Sequence, residues 1–418
     1  MMKDGFEKIL IELFCILGPL GNLIPIMPSI ASFRFYYLIL FIGVLYFLCK
    51  HKFQLEFMRT IINFFPLILL MFISSSIVYI VFDNNEAAAE NPMIRFGLLL
   101  FLFIFTIQSG YIVKRFTYVE KIKCIFLYLS GYYLSVVFGY IFFIGFYAGV
   151  LSIDFISHFE VLTQMGYGLL RFSPGSYPNE YGIVSSYVLS LITLLIYEKP
   201  KMKIKTIYYN NIFLFIMYLL TIVALFLATT RAAYISYFIT LLYLLSGRNS
   251  FIGNIKRGCV FAIVLSTLFL VVQNYVYDIF SIIEVGYNSI DNKDSSFYQR
   301  VIAWENWYKE FSHYWIFGVG FGRASDIHNT YLQLFFELGI VGALIVGTYS
   351  VVGVFSLMNK FKKNEDIFLK KICVIGLMHV LWFAMSNHNI NHHLTWFVIF
   401  TLYMIPEKGI KNNIEHTE

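Results

Sequence analysis

Four arginine positions of the sequence could bind a phosphate or carboxylate group. They are Arg171 in LLRFSPGSYPNEYG, Arg231 in ATTRAAYISYF, Arg300 in SSFYQRVIAWENW and Arg323 in FGVGFGRASDIHN. The planar guanidinium group presents two parallel N–H donors, which suits two oxygens of one anion. The alternative for each arginine is an ion pair with a local acid or a lipid headgroup. Arg231 has apolar sequence on both sides, and a charge in such surroundings needs a partner.

His328 begins a second group of polar residues, in the segment HNTYLQLFFELGIVG. Asn329, Gln333 and Glu337 follow at steps of four residues, so these three share one face of a helix. Histidine titrates near neutral pH and can accept a proton from a hydroxyl group. An acid as deep in an apolar segment as Glu337 must face a bundle interior or a wet cavity. The alternatives are a helix-cap role for His328 and a structural ion pair for Glu337.

Two further motifs indicate less chemistry. The cluster HNINHH contains His388, His392 and His393 without a carboxylate or cysteine nearby, which favours a polar cap over a metal site. The segment FGVGFG (317–322) lacks the preceding strand and the GK[ST] ending of a phosphate-binding loop. Its glycines indicate a tight turn of the backbone instead.

The composition shows what kind of protein must position these residues. Of the 418 residues, 59% are hydrophobic and 13% are charged, against about 45–50% and about 25% in soluble domains. The fraction of charged residues is too low for a soluble enzyme, and the 45 Phe and 31 Tyr residues exclude a disordered chain. We therefore expect a single all-α integral membrane domain over residues 1–418. The five cysteines lie in or beside apolar segments without ligand spacing, which indicates buried thiols.

Twelve apolar segments are candidates for transmembrane helices, each of which needs about 20 residues. The predicted spans are 9–27, 33–49, 60–82, 94–113, 122–150, 180–197, 207–229, 232–247, 258–277, 328–357, 369–386 and 393–406. Two connections, 151–179 and 278–327, are long, and the larger one lies between spans 9 and 10. Soluble loops of this length usually carry function.

The basic residues predict the orientation of this bundle. Of the 31 Lys and Arg residues, 23 lie near the termini or in loops after even-numbered spans. Because positive residues accumulate on the cytoplasmic side, both termini are predicted to be cytoplasmic and both long loops to face outward. Six of the eight basic residues on the outer side are arginines. The net charge of +6 is explained by the inner loops, so no nucleic-acid partner is expected.

Residues 300–342 resemble the O-antigen ligase/polymerase superfamily of bacterial inner-membrane glycosyltransferases. The segment opens with RVIAWENW, continues with the glycine turn WIFGVGFG, and ends in an H-N-x9-G-x-x-G pattern that starts at His328. TTRAAY is similar to a second short motif of the family, from which only Arg231 is retained. RFSPGSYPNEYG resembles a third, an R-x-x-G-x-x-x-N pattern that matches Arg171 and Asn179 around an inserted Pro174.

This resemblance implies a GT-C-like helical fold that needs neither a metal nor another cofactor. The implied donor is a glycan on undecaprenyl diphosphate at the outer (periplasmic) face of the inner membrane. His328, Arg231 and Arg300 are then the expected catalytic residues, with His328 as the base for the acceptor hydroxyl. The expected substrate-binding residues are Arg171, Arg323, Asn329, Glu337 and Asn179.

The favoured function is polymerisation of lipid-linked oligosaccharide repeat units into O-antigen or a similar surface polysaccharide. The first alternative is an O-antigen ligase that transfers the glycan to lipid A-core or to a protein. A flippase or other transporter of lipid-linked sugars is the second, although no internal repeat of the kind common in transporters is apparent. A chain-length regulator and a flippase are the protein partners that the resemblance suggests.

Overall fold

The computed structural model describes residues 5–23, 35–51, 55–81, 92–164, 170–200, 207–245, 296–324, 327–363, 366–387 and 390–405. Within these ranges the chain is a helical bundle with one short β-hairpin. The helices are α1 (Gly5–Leu20), α2 (Phe35–His51), α3 (Leu55–Val81), α4 (Pro92–Val113), α5 (Tyr118–Tyr147), α6 (Ile153–Ser157), α7 (Pro178–Tyr197), α8 (Asn211–Ala228), α9 (Arg231–Leu245), α10 (Ser296–Tyr314), α11 (Thr330–Lys363), α12 (Ile367–Ser386) and α13 (His393–Tyr403). The antiparallel strands are β1 (Leu162–Gln164) and β2 (Leu170–Phe172).

An all-α polytopic membrane protein was predicted, and this fold class is confirmed. Eleven of the twelve predicted spans coincide with a helix, and the ninth, 258–277, lies outside the described residues. Seven of the described helices are long and apolar enough to cross a bilayer, namely α3, α4, α5, α7, α8, α11 and α12. The predicted loop 151–179 contains α6 and the hairpin, and the predicted loop 278–327 contains α10.

Helix α7 is the centre of the bundle and packs against α8, α9 and α12. A hydroxyl side chain of α7 forms hydrogen bonds with both α9 and α12. Ser186 Oγ lies 2.7 Å from Ser236 Oγ of α9 and 2.9 Å from His379 Nε2 of α12. Small residues let helices approach closely in a membrane, and hydrogen bonds between them replace lost water contacts. Three helices that carry or contact the candidate site residues are thus fixed to one another.

Charged residues at the end of the bundle predicted to be cytoplasmic form Lys–Glu ion pairs across helices. The pairs are Lys8–Glu120 (2.7 Å), Lys123–Glu12 (2.7 Å), Lys50–Glu7 (2.7 Å) and Lys371–Glu198. Each pair joins residues that the alternating topology assigned to the same side. These pairs place the end of α2 and the start of α5 beside the start of α1, and the end of α7 beside the start of α12.

A break in α11 explains the glycine turn that precedes it. Gly339 has φ 65° and ψ −166°, so the helical hydrogen-bond ladder is interrupted there. The turn at 315–320 lies against the break and uses the backbone groups that it releases. The bonds run from Val319 N to Phe336 O (2.8 Å), Gly320 N to Glu337 O (3.0 Å), Ile340 N to Trp315 O (3.0 Å) and Val341 N to Ile316 O (3.1 Å). The turn is a structural element, as the missing phosphate-loop signature indicated.

Gly318→Ala is expected to destabilise the protein. A Cβ at Gly318 would lie 2.4 Å from the Glu337 carbonyl, and its φ of +77° alone costs an L-residue about 1–2 kcal/mol. Gly347→Ala is the matched control in α11, where an added Cβ meets no atom within 4 Å. Thermal unfolding of the purified protein in detergent should show a lower Tm for Gly318→Ala and no loss for Gly347→Ala. Equal Tm values would contradict the packing of this turn.

Candidate active site

The guanidinium group of Arg171 fastens the hairpin to the turn between α8 and α9. From β2 it donates through Nε to Ala228 O (2.8 Å) and through Nη2 to Thr230 Oγ1 (2.8 Å) and Asn179 Oδ1 (3.2 Å). Arg171 is buried. The turn also packs closely on α7, since a Cβ at Gly182 would lie 2.5 Å from Thr230. Arg171 and Asn179, both predicted to bind substrate, thus contact each other, and the bonds of Arg171 fix the turn that precedes Arg231.

That residue is Arg231, the first residue of α9, and its side chain is exposed. Its electrostatic neighbour is Arg300 in the first turns of α10. Burial, and after it the nearby Arg231 guanidinium, lower the pKa of Arg300 from its usual value. Among the described residues, no carboxylate forms an ion pair with either side chain, and the buried Nε of Arg300 has no hydrogen-bond acceptor. Two cationic groups therefore share one site with no acid from the described part of the chain.

The backbone around His328 is held by the carboxyl end of α12. The Asn329 side chain donates from Nδ2 to Met385 O (3.0 Å), and Thr330 Oγ1 donates to Asn387 O (2.8 Å). Carbonyls in the last turn of a helix lack intrahelical donors, so these two side chains cap α12. His328 has φ 53°, a conformation rarely adopted outside glycine and costly for a histidine. Strain of this kind persists where surrounding contacts impose it.

Two chains of contacts bring His328 and the two arginines together. Trp304 is one turn after Arg300 on α10, and its Nε1 donates to Ile327 O (2.9 Å), next to His328. Trp382 on α12 donates from Nε1 to Ala232 O (2.9 Å), next to Arg231. Trp382 lies about 6 Å along the helix from the end of α12, to which Asn329 and Thr330 bond. These hydrogen bonds join the segments that carry Arg231, Arg300 and His328.

Two of the predicted substrate-binding residues form ion pairs elsewhere. Glu337 is fully buried, lies 3.4 Å from Arg95 and accepts hydrogen bonds from Gln333 (2.8 Å) and the Ala324 N–H (3.1 Å). Arg323 pairs with Glu310 of α10 and stacks over Trp307, with 5.7 Å between its guanidinium carbon and the ring centroid. These contacts match the structural alternative that the sequence left open for both residues. They join the glycine turn and α10 to α11.

Asn387 and His392 lie in the connection between α12 and α13. Their contacts were not predicted from the sequence. Asn387 Oδ1 lies 3.4 Å from His328 Nδ1, and Asn387 is buried. His392 begins α13 by accepting the Leu394 N–H (3.3 Å), and its Nε2 lies 3.8 Å from the Glu180 carboxylate. A polar cap was expected here, but nothing in the spacing linked Asn387 to a residue 59 positions earlier.

The comparison with known families bears on the same residues. Residues 216–347 match the family described as O-antigen ligase. The resemblance to the O-antigen ligase/polymerase superfamily is confirmed. The matched range contains Arg231, Arg300 and His328, whereas Arg171 and Asn387 lie outside it. No curated protein matches the chain. The family supports glycosyl transfer of the O-antigen ligase/polymerase kind in a membrane protein.

Arg171→Lys is expected to loosen the turn that carries Arg231. A lysine keeps the charge, but its ammonium group cannot bond to Ala228 O, Thr230 and Asn179 at once. The loss of hydrogen bonds to a buried charge costs about 2–3 kcal/mol. Arg115→Lys, at an exposed position, is the matched control. Thermal unfolding in detergent should separate the two variants. If Arg171→Lys unfolds at the temperature of the unmodified protein, Arg171 does not fasten this turn.

Proposed function

We propose that this chain polymerises oligosaccharide repeat units linked to undecaprenyl diphosphate into O-antigen or a similar surface polysaccharide. The observation that carries the proposal is the pair of guanidinium groups of Arg231 and Arg300, which has no acid partner among the described residues. Two like charges in a partly buried site favour an anionic ligand, and the diphosphate of the lipid carrier has concentrated negative charge. The transferred glycan would then lie beside the His328 imidazole.

The reaction needs no further acid or base. The acceptor hydroxyl oxygen attacks the anomeric carbon of the donor glycan, and its proton passes to His328. The bond between that carbon and the diphosphate oxygen breaks, and the electron pair leaves with the diphosphate. Arg231 and Arg300 stabilise the charge that develops on the leaving group. Guanidinium groups can supply the field that a metal ion supplies in other phosphate chemistry, so the proposal requires no metal or other cofactor.

Location and partners follow from this chemistry. We infer that the protein lies in the bacterial inner membrane, with both termini cytoplasmic and the site at the outer face. The excess of lysine at the end of the bundle with the Lys–Glu pairs favours that end as the cytoplasmic one. The donor and acceptor are both lipid-linked repeat units. Their chemistry calls for a flippase that delivers them to the outer leaflet, and a chain-length regulator is a further candidate partner.

Extension of lipid-linked repeat units by the purified protein tests the proposal directly. The unmodified protein should convert single units into a ladder of longer products on a gel. Transport of the labelled lipid-linked sugar in vesicles with no change in glycan length would instead favour a flippase. A preparation that is folded but produces no ladder from its native repeat unit would overturn the polymerase assignment.

A ligase is the second candidate, because the matched family carries that description. The two functions share the transfer chemistry and differ in the acceptor. A deletion strain separates them: single repeats still joined to lipid A-core indicate that the lost protein is the polymerase. Loss of every attached repeat would assign the ligase function instead.

His328→Ala and Arg231→Ala are expected to abolish ladder formation while the protein stays folded. Loss of a general base or of a group that stabilises transition-state charge lowers rates by about 10²–10⁴-fold. Arg300→Lys should lower the rate less than Arg300→Ala, because it keeps the charge and loses the planar fork. His313→Ala, on an exposed position of α10, and Arg115→Ala are the matched controls. Normal product length in either of the first two variants would exclude the role assigned to that residue.

A further inference from the structure

A neutral imidazole can act as a base only through the nitrogen that carries no proton. In His328 the choice between Nδ1 and Nε2 depends on what Nδ1 contacts. One contact of Nδ1 is with the carboxamide oxygen Asn387 Oδ1, at 3.4 Å. That oxygen has lone pairs and no proton, so it can only accept. For this contact to be a hydrogen bond, Nδ1 must donate it, and the lone pair of the neutral ring is then on Nε2.

From this geometry we propose that Asn387 is the positioning residue for His328: it holds the ring in the Nδ1–H tautomer and directs Nε2 toward the acceptor hydroxyl. The inference rests on the proposed glycosyl transfer and adds a residue to it. A base whose second nitrogen is held by a third group is the arrangement that catalytic triads use, here with an amide in the third position.

The backbone of Asn387 is fixed independently of its side chain. Its N–H donates to Phe383 O (2.9 Å), and its carbonyl accepts the Thr330 hydroxyl (2.8 Å). The Asn329 bond to Met385 O gives a second link between the same two segments. The Asn387 side chain is therefore presented to His328 by a rigid junction and not by a long mobile loop. Asn387 is 5% exposed, so water competes little for its amide oxygen.

The same junction gives His328 a favourable place to receive a proton. The carboxyl end of α12 carries the partial negative charge of the helix dipole, which favours a nearby cation. An imidazolium formed during the reaction lies at this end of the helix, and Nδ1–H keeps its acceptor in both protonation states. Asn387 thus acts before and after the proton transfer without being titrated itself.

The test compares Asn387→Leu and Asn387→Asp with Asn391→Leu, an asparagine in the same connection that has no described contact with His328. Asn387→Leu should lower kcat for ladder formation by about 10²-fold with little change in KM for the lipid-linked donor, because the donor is bound by the arginines. Asn387→Asp keeps the acceptor oxygen and should stay within about 10-fold of the native rate. Asn391→Leu should behave like the unmodified protein.

The pH–rate profile distinguishes positioning from a structural role. A carboxylate beside Nδ1 stabilises the protonated ring, so His328 in Asn387→Asp stays protonated, and unable to accept a proton, up to a higher pH. The acid limb of its profile should therefore move to higher pH. A native rate for Asn387→Leu would overturn the inference. So would an Asn387→Asp variant as inactive as Asn387→Leu with an unmoved acid limb.

A spectroscopic measurement keeps this inference separate from the proposed function. In protein labelled with ¹⁵N-histidine, the His328 signals, assigned by their loss in His328→Ala, should show a protonated Nδ1 and a bare Nε2. Asn387→Leu should shift that signal toward the tautomer mixture of the exposed His313. A protonated Nε2 in the unmodified neutral ring would overturn the role of Asn387 whether or not the protein extends glycans. Failure of glycan extension with the expected tautomer would count against the proposed function alone.

Discussion

Repulsion between two guanidinium groups is the constraint to which the rest of this site responds. Arg231 and Arg300 lie on different helices, and the charge of Arg231 adds to burial in lowering the pKa of the half-buried Arg300. Such a pair persists only if the scaffold forces the helices together. Hydrogen bonds hold the helices together. They are the bonds of Trp304 to Ile327, of Trp382 to Ala232, of Arg171 to Thr230 and of Ser186 to Ser236. Apolar residues at these two positions would avoid the repulsion. The presence of two charges there agrees with the anionic ligand of the proposed function.

The arginines divide into two groups by their surroundings and not by their sequence. Arg171 and Arg323 each direct their donors to protein groups, whereas Arg231 and Arg300 have no acid partner among the described residues. Arginine suits both tasks because its fork can join several backbone and side-chain acceptors as well as two phosphate oxygens. The clamp formed by Arg171 places a third positive charge behind the turn of Arg231, so it contributes to the field of the site even where it binds no substrate.

The sequence predicts the elements well and the contacts between them less well. Apolar segments identify eleven helices, and seven of the described helices reach the length that a bilayer requires. Spacing indicated that Gly339 belongs to the His328 motif, but the reason, a helix break that receives the turn at 315–320, depends on packing. The ion pair of Glu337 with Arg95 joins residues 242 positions apart, and no local pattern reports such a contact. The contact of Asn387 with His328, 59 positions apart, could not be predicted for the same reason.

Strained backbone occurs in the turn before Arg231 and at His328. Two of the described non-glycine residues with positive φ are Thr229, two residues before Arg231, and His328 itself. Thr229 is the left-handed residue that ends α8 in the two-residue turn before α9, and His328 lies two residues before α11. The first turn is held by the hydrogen bond of Thr230 with Arg171, and the second by the bonds of Asn329 and Thr330 to the carboxyl end of α12. Positive φ thus occurs two residues before the cation, and at the base, of the proposed reaction.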